Sequence, residues 1–320
     1  MTIQQHRGHF GGKGGKGGEA AEELRGLDQD GGLAHARGLL VMGPDCGTAI
    51  VGGVPLGFAN VVRRGGIGLV GASGTGLQEV CCQIHLMGEG VSHALGTGGR
   101  DVKAEIGGIS MLTALEMLAG DPQTRVIGLV SKPPAPDVMR EVLRTAERVG
   151  KPVVACFLGG SHADLPANVS LVPTLEECAT LCVSRMRGAP AAVSGDSAPA
   201  RPGFSAGQRY LRALFSGGTF CTEAQVIMRD LELDFVSNVP LASSHAIADS
   251  AHSRGHTLLD LGDDEFTVGR PHPMIDPSQR VARLAQEARD ASVAVILVDV
   301  VLGYAGHMDP AGALAVRLES

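Results

Sequence analysis

Tryptophan is absent from this 320-residue chain, and aromatic residues are few, with 2 Tyr and 8 Phe. The core must therefore be built from Val, Leu, Ile, Ala and Met, which suits buried parallel strands crossed by helices better than a sandwich or a propeller. A cationic surplus is missing too. There are 27 Lys and Arg against 34 Asp and Glu, a net charge of −7, and no basic stripe. Binding driven by counterion release has little to work with, so a nucleic-acid partner is excluded and a small anionic or phosphorylated substrate is expected. No apolar run reaches the ~18 residues of a membrane span, and the start of the chain, Met1 to Arg7, has no apolar leader core. A cytoplasmic protein with no membrane partner is expected. The 7 Cys are odd in number and irregularly spaced, which reads as free thiols in a reducing compartment and not as a disulfide framework. Cys178 and Cys182 have no second pair, so no metal site is expected. No nucleophile elbow, H-E-x-x-H pattern or paired metal ligands occur.

What the chain has in excess is glycine, at 46 residues. Part of it lies in residues 1–36, where the Gly11 to Gly18 run is low-complexity and only Glu19 to Arg25 reads as a helix, so this segment is expected to be a flexible tail. From Gly38 onward, short aliphatic runs ending in Gly or Ser alternate with amphipathic stretches, the pattern of βαβ units. Strands are expected at Leu39–Met42, Ile67–Val70, Val91–Leu95, Val126–Val130, Pro152–Phe157 and Ser170–Val172. Helices are expected at Gly76–Met87, Ser110–Gly120, Pro136–Gly150 and Leu175–Arg187, the last with Thr174 and Glu177 in capping-box spacing. The first domain covers 37–187, and a Pro, Gly, Ser and Ala-rich linker covers 188–203. A second α/β domain, 204–320, repeats the order and looks incomplete because its last helix runs out at the chain end.

Much of the remaining glycine sits where strands stop and helices start. In an open parallel sheet such turns lie at the carboxyl edge, where helix N-termini offer free N–H groups to anions. In Leu69 to Leu77, Gly71, Gly74 and Gly76 permit close approach, while Ser73 and Thr75 supply hydroxyls. Two readings stay open, an anion site or a plain tight turn with a hydroxyl helix cap. The counterpart in the second domain is Gly303 to Pro310, where Gly303, Gly306 and His307 precede Asp309 at a helix start. Lys132 directly follows a strand and could face an anionic substrate, as could Arg100 and Asp101 after another. Pro271 and Pro273 stiffen the loop around His272, beside Arg270 and Asp276. The candidates are thus Lys132, His272 and His307 for catalysis, Gly71, Ser73, Gly74, Thr75, Gly303 and Gly306 for a phosphate, and Arg100 and Arg270 for substrate.

Taken together, these turns resemble a family. Met42-Gly-Pro-Asp-Cys-Gly-Thr48, Gly66 to Thr75, Gly96-Thr-Gly-Gly99, Ala114 to Leu118 with Asp121-Pro122, and Gly150-Lys-Pro-Val-Val154 are similar to the ligase portion of succinyl-CoA synthetase α subunits and other NDP-forming acyl-CoA synthetases. With Ser131-Lys-Pro-Pro134 and Val268 to Pro277, the chain looks like the FdrA-type branch of that superfamily over roughly 38–318. The resemblance implies two flavodoxin-like, doubly wound domains. It also implies one anion site shared by the Ser73-Gly-Thr75 and Gly303 to Asp309 turns, use of CoA and a nucleotide, and partner subunits in a homo- or hetero-oligomer.

Three departures qualify that expectation. The family's phosphohistidine loop has no match after Gly159, where His162 is near in sequence but outside the motif. Lys132 stands where the family places a glutamate, and a lysine repels an imidazolium while attracting a phosphate or carboxylate. Residues 1–36 cannot supply the family's N-terminal CoA-binding domain, which is therefore expected to be missing. Three functions follow: an acyl-CoA synthetase-type protein binding a phosphate-bearing acyl donor, a subunit transferring between carbamoyl phosphate and oxamate in purine breakdown, or a truncated non-catalytic subunit.

Overall fold

The computed structural model describes residues 4–5, 33–34, 36–43, 46–160, 164–191 and 203–315. The glycine run at 11–18, the helix expected at 19–25, His162, the linker at 192–202 and the helix end at 316–318 lie outside the described residues. The chain divides into two units, Met1–Val193 and Ser194–Ser320.

The first unit holds a hairpin, β1 (Thr48–Val51) and β2 (Val54–Gly57), followed by β3 (Arg64–Gly71), α1 (Gly74–Leu86), β4 (Val91–Gly96), α2 (Ile109–Gly120), β5 (Val126–Ser131), α3 (Pro136–Arg148), β6 (Val153–Phe157), β7 (Val169–Leu171) and α4 (Leu175–Arg187). Its sheet runs β2-β1-β4-β3-β5-β6-β7. From β4 onward neighbouring strands are parallel. Numbered among themselves, these five strands stand in the order 2-1-3-4-5, the flavodoxin arrangement. Helices α1 and α4 pack together, as do α2 and α3, so the sheet is wound on both faces. Because both faces are covered, the strands read as near-continuous apolar runs, and Ile67, Leu69, Val70, Ile127, Leu129 and Val130 are all fully buried. The hairpin was not expected. Gly52 and Gly53 both adopt positive φ, 58° and 85°, as a two-residue turn matched to strand twist requires, so the Gly-Gly pair between two β-branched residues is the signal that could have found it.

The second unit contains β8 (Tyr210–Phe215), α5 (Gly218–Asp230), β9 (Phe235–Ser237), β10 (His256–Asp260), a short α6 (Asp264–Thr267), α7 (Ser278–Glu287), β11 (Val293–Val298) and α8 (Pro310–Ala315). Its sheet is parallel in the order β9-β10-β8-β11. The alternation within β8 sends Ala213 and Phe215 to one face, against Cys221 and Met228 of α5, and Leu214 to the other, against Leu284 of α7 and Leu314 of α8. Both units are thus α/β with parallel strands.

All seven cysteines are free thiols, five of them buried. Burial pushes the Cys82 thiol up to about 11. Among the described residues no helix is long and apolar enough to cross a membrane, and no group of three His, Cys, Asp or Glu is placed to hold a metal ion.

Candidate functional site

In the first sheet Gly71 is in register with Gly96 on one side and Val130 on the other, so β3, β4 and β5 end at one level. Ser73, Arg100 and Lys132 follow those three ends, and the β3/β5 boundary is where the strand order reverses. The carboxyl edge at such a reversal is the usual ligand position in open parallel sheets. The three helices that start there are not equivalent. The N-terminus of α2 is already occupied, because the buried Asp101 carboxylate accepts from the Ser110 and Met111 amides at 2.8 and 2.9 Å. Burial raises the Asp101 pKa, with those hydrogen bonds opposing. Asp101 is thus a helix cap and not a substrate ligand. At α3, Pro136 holds the first helical position and carries no N–H.

Helix α1 is the remaining one. Ser73 adopts an extended conformation, φ −132°, and its Oγ accepts from the Gly76 amide at 3.1 Å. The Gly74 and Thr75 amides, the first two of the helix, have no intrahelical carbonyl to bond. They lie at the positive end of a 13-residue helix dipole. Gly71 is required by packing, since a Cβ there would stand 2.6 Å from Leu77 Cγ and 2.9 Å from the Val130 carbonyl. Lys132 is exposed, and Arg100 is half-buried.

The candidates of the second unit group around loops at the carboxyl ends of β10 and β11. The His307 amide donates to the Met274 carbonyl at 2.7 Å, so the loops bearing His272 and His307 meet. His307 Nδ1 also accepts from the Asp309 amide at 3.1 Å, and Asp309 caps α8 through the Gly312 amide at 2.8 Å. Gly303 and Gly306 lie in that turn, while Arg270 is exposed and stands apart in the His272 loop. His272 is half-buried beside Gly262, where a Cβ would approach its Nε2 to 2.8 Å and the Ser216 carbonyl to 2.6 Å.

Sequence reasoning missed the neighbours of His272. Asp299, directly after β11, accepts from the Ser216 amide at 2.9 Å and from Arg280 Nη2 at 2.7 Å, and the Ser216 hydroxyl donates to it as well. Ser216, Arg280 and Asp299 are 83 and 19 positions apart in pairs, so no local spacing signals the cluster.

Burial lowers the His272 pKa below its ordinary 6.5, with Arg280 acting in the same direction and Asp299 against it. The unfolded chain therefore binds a proton below 6.5 that the folded unit refuses, so this contribution to stability is present above 6.5 and lost as pH falls toward the depressed folded value. His272→Gln is expected to flatten that part of the profile, as measured by denaturation of both proteins above and below pH 6.5. An unchanged difference between the two pH values overturns it.

Comparison with known proteins adds the family. Residues 63–159 match the CoA binding domain and residues 214–320 the CoA-ligase domain. The chain is 47% identical over 291 residues to the Uncharacterized protein YahF of Escherichia coli (strain K12), covering 88% of this chain and 56% of that protein. It is 31% identical over 125 residues to the Succinate--CoA ligase [ADP-forming] subunit alpha of Aquifex aeolicus (strain VF5), covering 37% of this chain and 39% of the subunit. The chain therefore spans about half the length of the curated relatives it matches. A dinucleotide-forming acetyl-coenzyme A synthetase 1 from Ca. Korarchaeum cryptofilum, in complex with phosphate and ADP, superposes with a TM-score of 0.40 at 15% identity, over 93% of this chain and 64% of that one.

One expectation fails. The CoA-binding domain is not missing, because its match runs through β3, α1 and Lys132. The Gly66 to Thr75 motif resembles a ligase portion, which places the expected CoA domain upstream of it, where residues 1–36 are too short to form one. Glycine turns between parallel strands and helices serve both kinds of domain, so the motif alone does not separate them. With both matched domains in one chain and a succinate–CoA ligase alpha subunit among its relatives, the chain belongs to the acyl-CoA synthetase family of succinyl-CoA ligase type.

Proposed function

We propose that the first unit binds a phosphoryl group at the start of α1, as the phosphate-holding part of an NDP-forming acyl-CoA synthetase-type protein. One observation carries this reading: of the three helix starts after β3, β4 and β5, α2 is filled by Asp101 and α3 begins with Pro136, while α1 begins with Gly74 and Thr75 amides at the strand-order reversal. The phosphoryl group belongs to an acyl phosphate or to CoA, and the Gly74 and Thr75 amides suit the oxygens of either. CoA supplies the thiol that accepts an acyl group. The chain's own contribution is to bind and orient the anion through the Gly74 and Thr75 amides, with the Ser73 turn setting their direction and Lys132 adding a positive charge at the rim. Within the first unit Arg100 is assigned to substrate contact in this reading; the loops that carry Arg270, His272, Gly303, Gly306 and His307 in the second unit are proposed separately as a candidate substrate-contacting surface of that unit.

Calorimetry of the full chain with inorganic phosphate and with CoA tests it. Lys132→Ala is expected to weaken binding about two- to fivefold, as suits an exposed charge, with no loss of stability. Absence of binding by the unaltered chain overturns the assignment. Incubation with labelled ATP, CoA and succinate tests the ligase activity, and no labelled protein or thioester would remove it.

A second reading, transfer between carbamoyl phosphate and oxamate alongside partner subunits, is favoured by Lys132. An exposed cation at the β5 end suits a free anionic substrate better than a phosphohistidine. Product formed from carbamoyl phosphate only when partner subunits are added supports this reading, and its absence removes it.

A further inference from the structure

His272 and His307 of the second unit share a local arrangement that the phosphoryl reading of the first unit does not use. In each, the backbone amide two residues on donates to the ring: Met274 N–H to His272 Nδ1 at 3.3 Å, and Asp309 N–H to His307 Nδ1 at 3.1 Å. An Nδ1 that accepts carries no proton, so both rings are neutral and hold their hydrogen on Nε2. A third bond joins the two loops, from the His307 amide to the Met274 carbonyl at 2.7 Å. Met274 is therefore held on both sides, its amide by the His272 ring and its carbonyl by the His307 loop. Protonating His272 places a hydrogen on Nδ1, where it meets the Met274 N–H and breaks that bond.

We propose that the two loops form a proton-operated latch at the carboxyl edge of the second sheet, closed while His272 is neutral and released when it takes up a proton. The surrounding charges decide that His272 is the trigger. It is half-buried, and Gly262 gives it room, since a Cβ there would stand 2.8 Å from His272 Nε2 and 3.2 Å from Asp260 Oδ1. Asp260 thus approaches the ring from the end of β10, but its Oδ1 already accepts from the Gly262 amide at 2.9 Å. Asp299, after β11, favours the charged ring, yet it is engaged by Ser216 and Arg280. Burial and the Arg280 guanidinium of α7 oppose the charge and outweigh Asp299, so His272 stays neutral to below the ordinary 6.5. In its own loop, Asp276 attracts a protonated His307 and would hold the loops together. Asp276 is exposed, and such a pair contributes little against the loss at the half-buried ring.

Amide hydrogen exchange of the full chain, above and below pH 6.5, tests this when expressed as protection relative to an unstructured chain, which removes the pH dependence of exchange itself. Protection of the Met274 and His307 amides is expected to fall about tenfold on the acid side, while that of Leu284 within α7 is retained. In His272→Asn an uncharged side-chain oxygen can accept from the Met274 amide, so protection should stay high at both pH values. Equal protection on the two sides in the unaltered chain overturns the latch. So does a fall that includes Leu284, which would be unfolding of the unit, or a fall that persists in His272→Asn. If that variant does not fold, imidazole ¹⁵N spectra of the unaltered chain take its place. They should show His272 Nδ1 without a proton above pH 6.5 and gaining one where protection is lost, and a proton on Nδ1 above pH 6.5 overturns the proposal. Phosphate binding by the first unit enters none of these outcomes.

Discussion

Glu287→Ala is expected to destabilise the second unit by about 3–5 kcal/mol, because it leaves two buried guanidinium groups without their shared carboxylate. Glu287, at the end of α7, receives Arg212 Nε on one oxygen at 2.9 Å and Arg283 Nε on the other at 2.6 Å, with the Ser253 hydroxyl also at 2.6 Å. Arg212 is 1% exposed within β8, and its other hydrogen bonds run to Asp290 and to the Gly255 carbonyl. Arg283 reaches the Ser250 carbonyl at 2.6 Å and Ser253 Oγ at 2.7 Å. The network ties α7 to the segment that enters β10. A single truncation strands charge in a low-dielectric place, whereas replacing all three charged residues by apolar ones of similar volume removes the desolvation cost with the charges. The triple replacement should therefore recover much of the lost stability. Denaturant titration, with hydrogen exchange read at the β8 and β10 amides, measures both effects. A Glu287→Ala loss below about 1 kcal/mol, the value of an exposed pair, would show that the network is solvated.

Gly71→Ala is the second large effect, expected to cost about 1–3 kcal/mol through overpacking and to abolish phosphate binding. The added methyl meets Leu77, which is fully buried, and the Val130 carbonyl, which is held in register with Gly71 by the sheet. Neither neighbour can give way, so the first turn of α1 must move away from β3, taking the Gly74 and Thr75 amides with it. Gly120→Ala is the control. Nothing lies within 4 Å of a Cβ there, and the residue is helical, so the change should be neutral or stabilising by about 0.5–1 kcal/mol. Phosphate calorimetry and thermal unfolding of both variants decide the point, and retained phosphate binding in Gly71→Ala would separate the turn from the site.

The candidate residues divide by how local their signals are. Ser73 was legible as a helix-start hydroxyl, because it stands after an apolar run and before an amphipathic stretch, and its Oγ caps α1 through the Gly76 amide. Asp101 carried a misleading signal. Its place after a strand suggested a ligand, but the chain folds back so that its carboxylate fills the α2 N-terminus. Ser216, Arg280 and Asp299 gave no signal, because they converge from β8, α7 and β11. The assignment of residues 1–36 as the missing place of a CoA domain failed for a different reason, since glycine-rich turns are shared by CoA-binding and ligase domains alike.

The sequence by itself determined the α/β class and most of the strands and helices, because apolar periodicity and glycine punctuation act over a few residues and survive without tertiary contacts. Only the tertiary structure decided which of three similar helix starts remains open to an anion. That choice depends on a carboxylate that folds back onto one helix start and on a proline that withholds an amide at another.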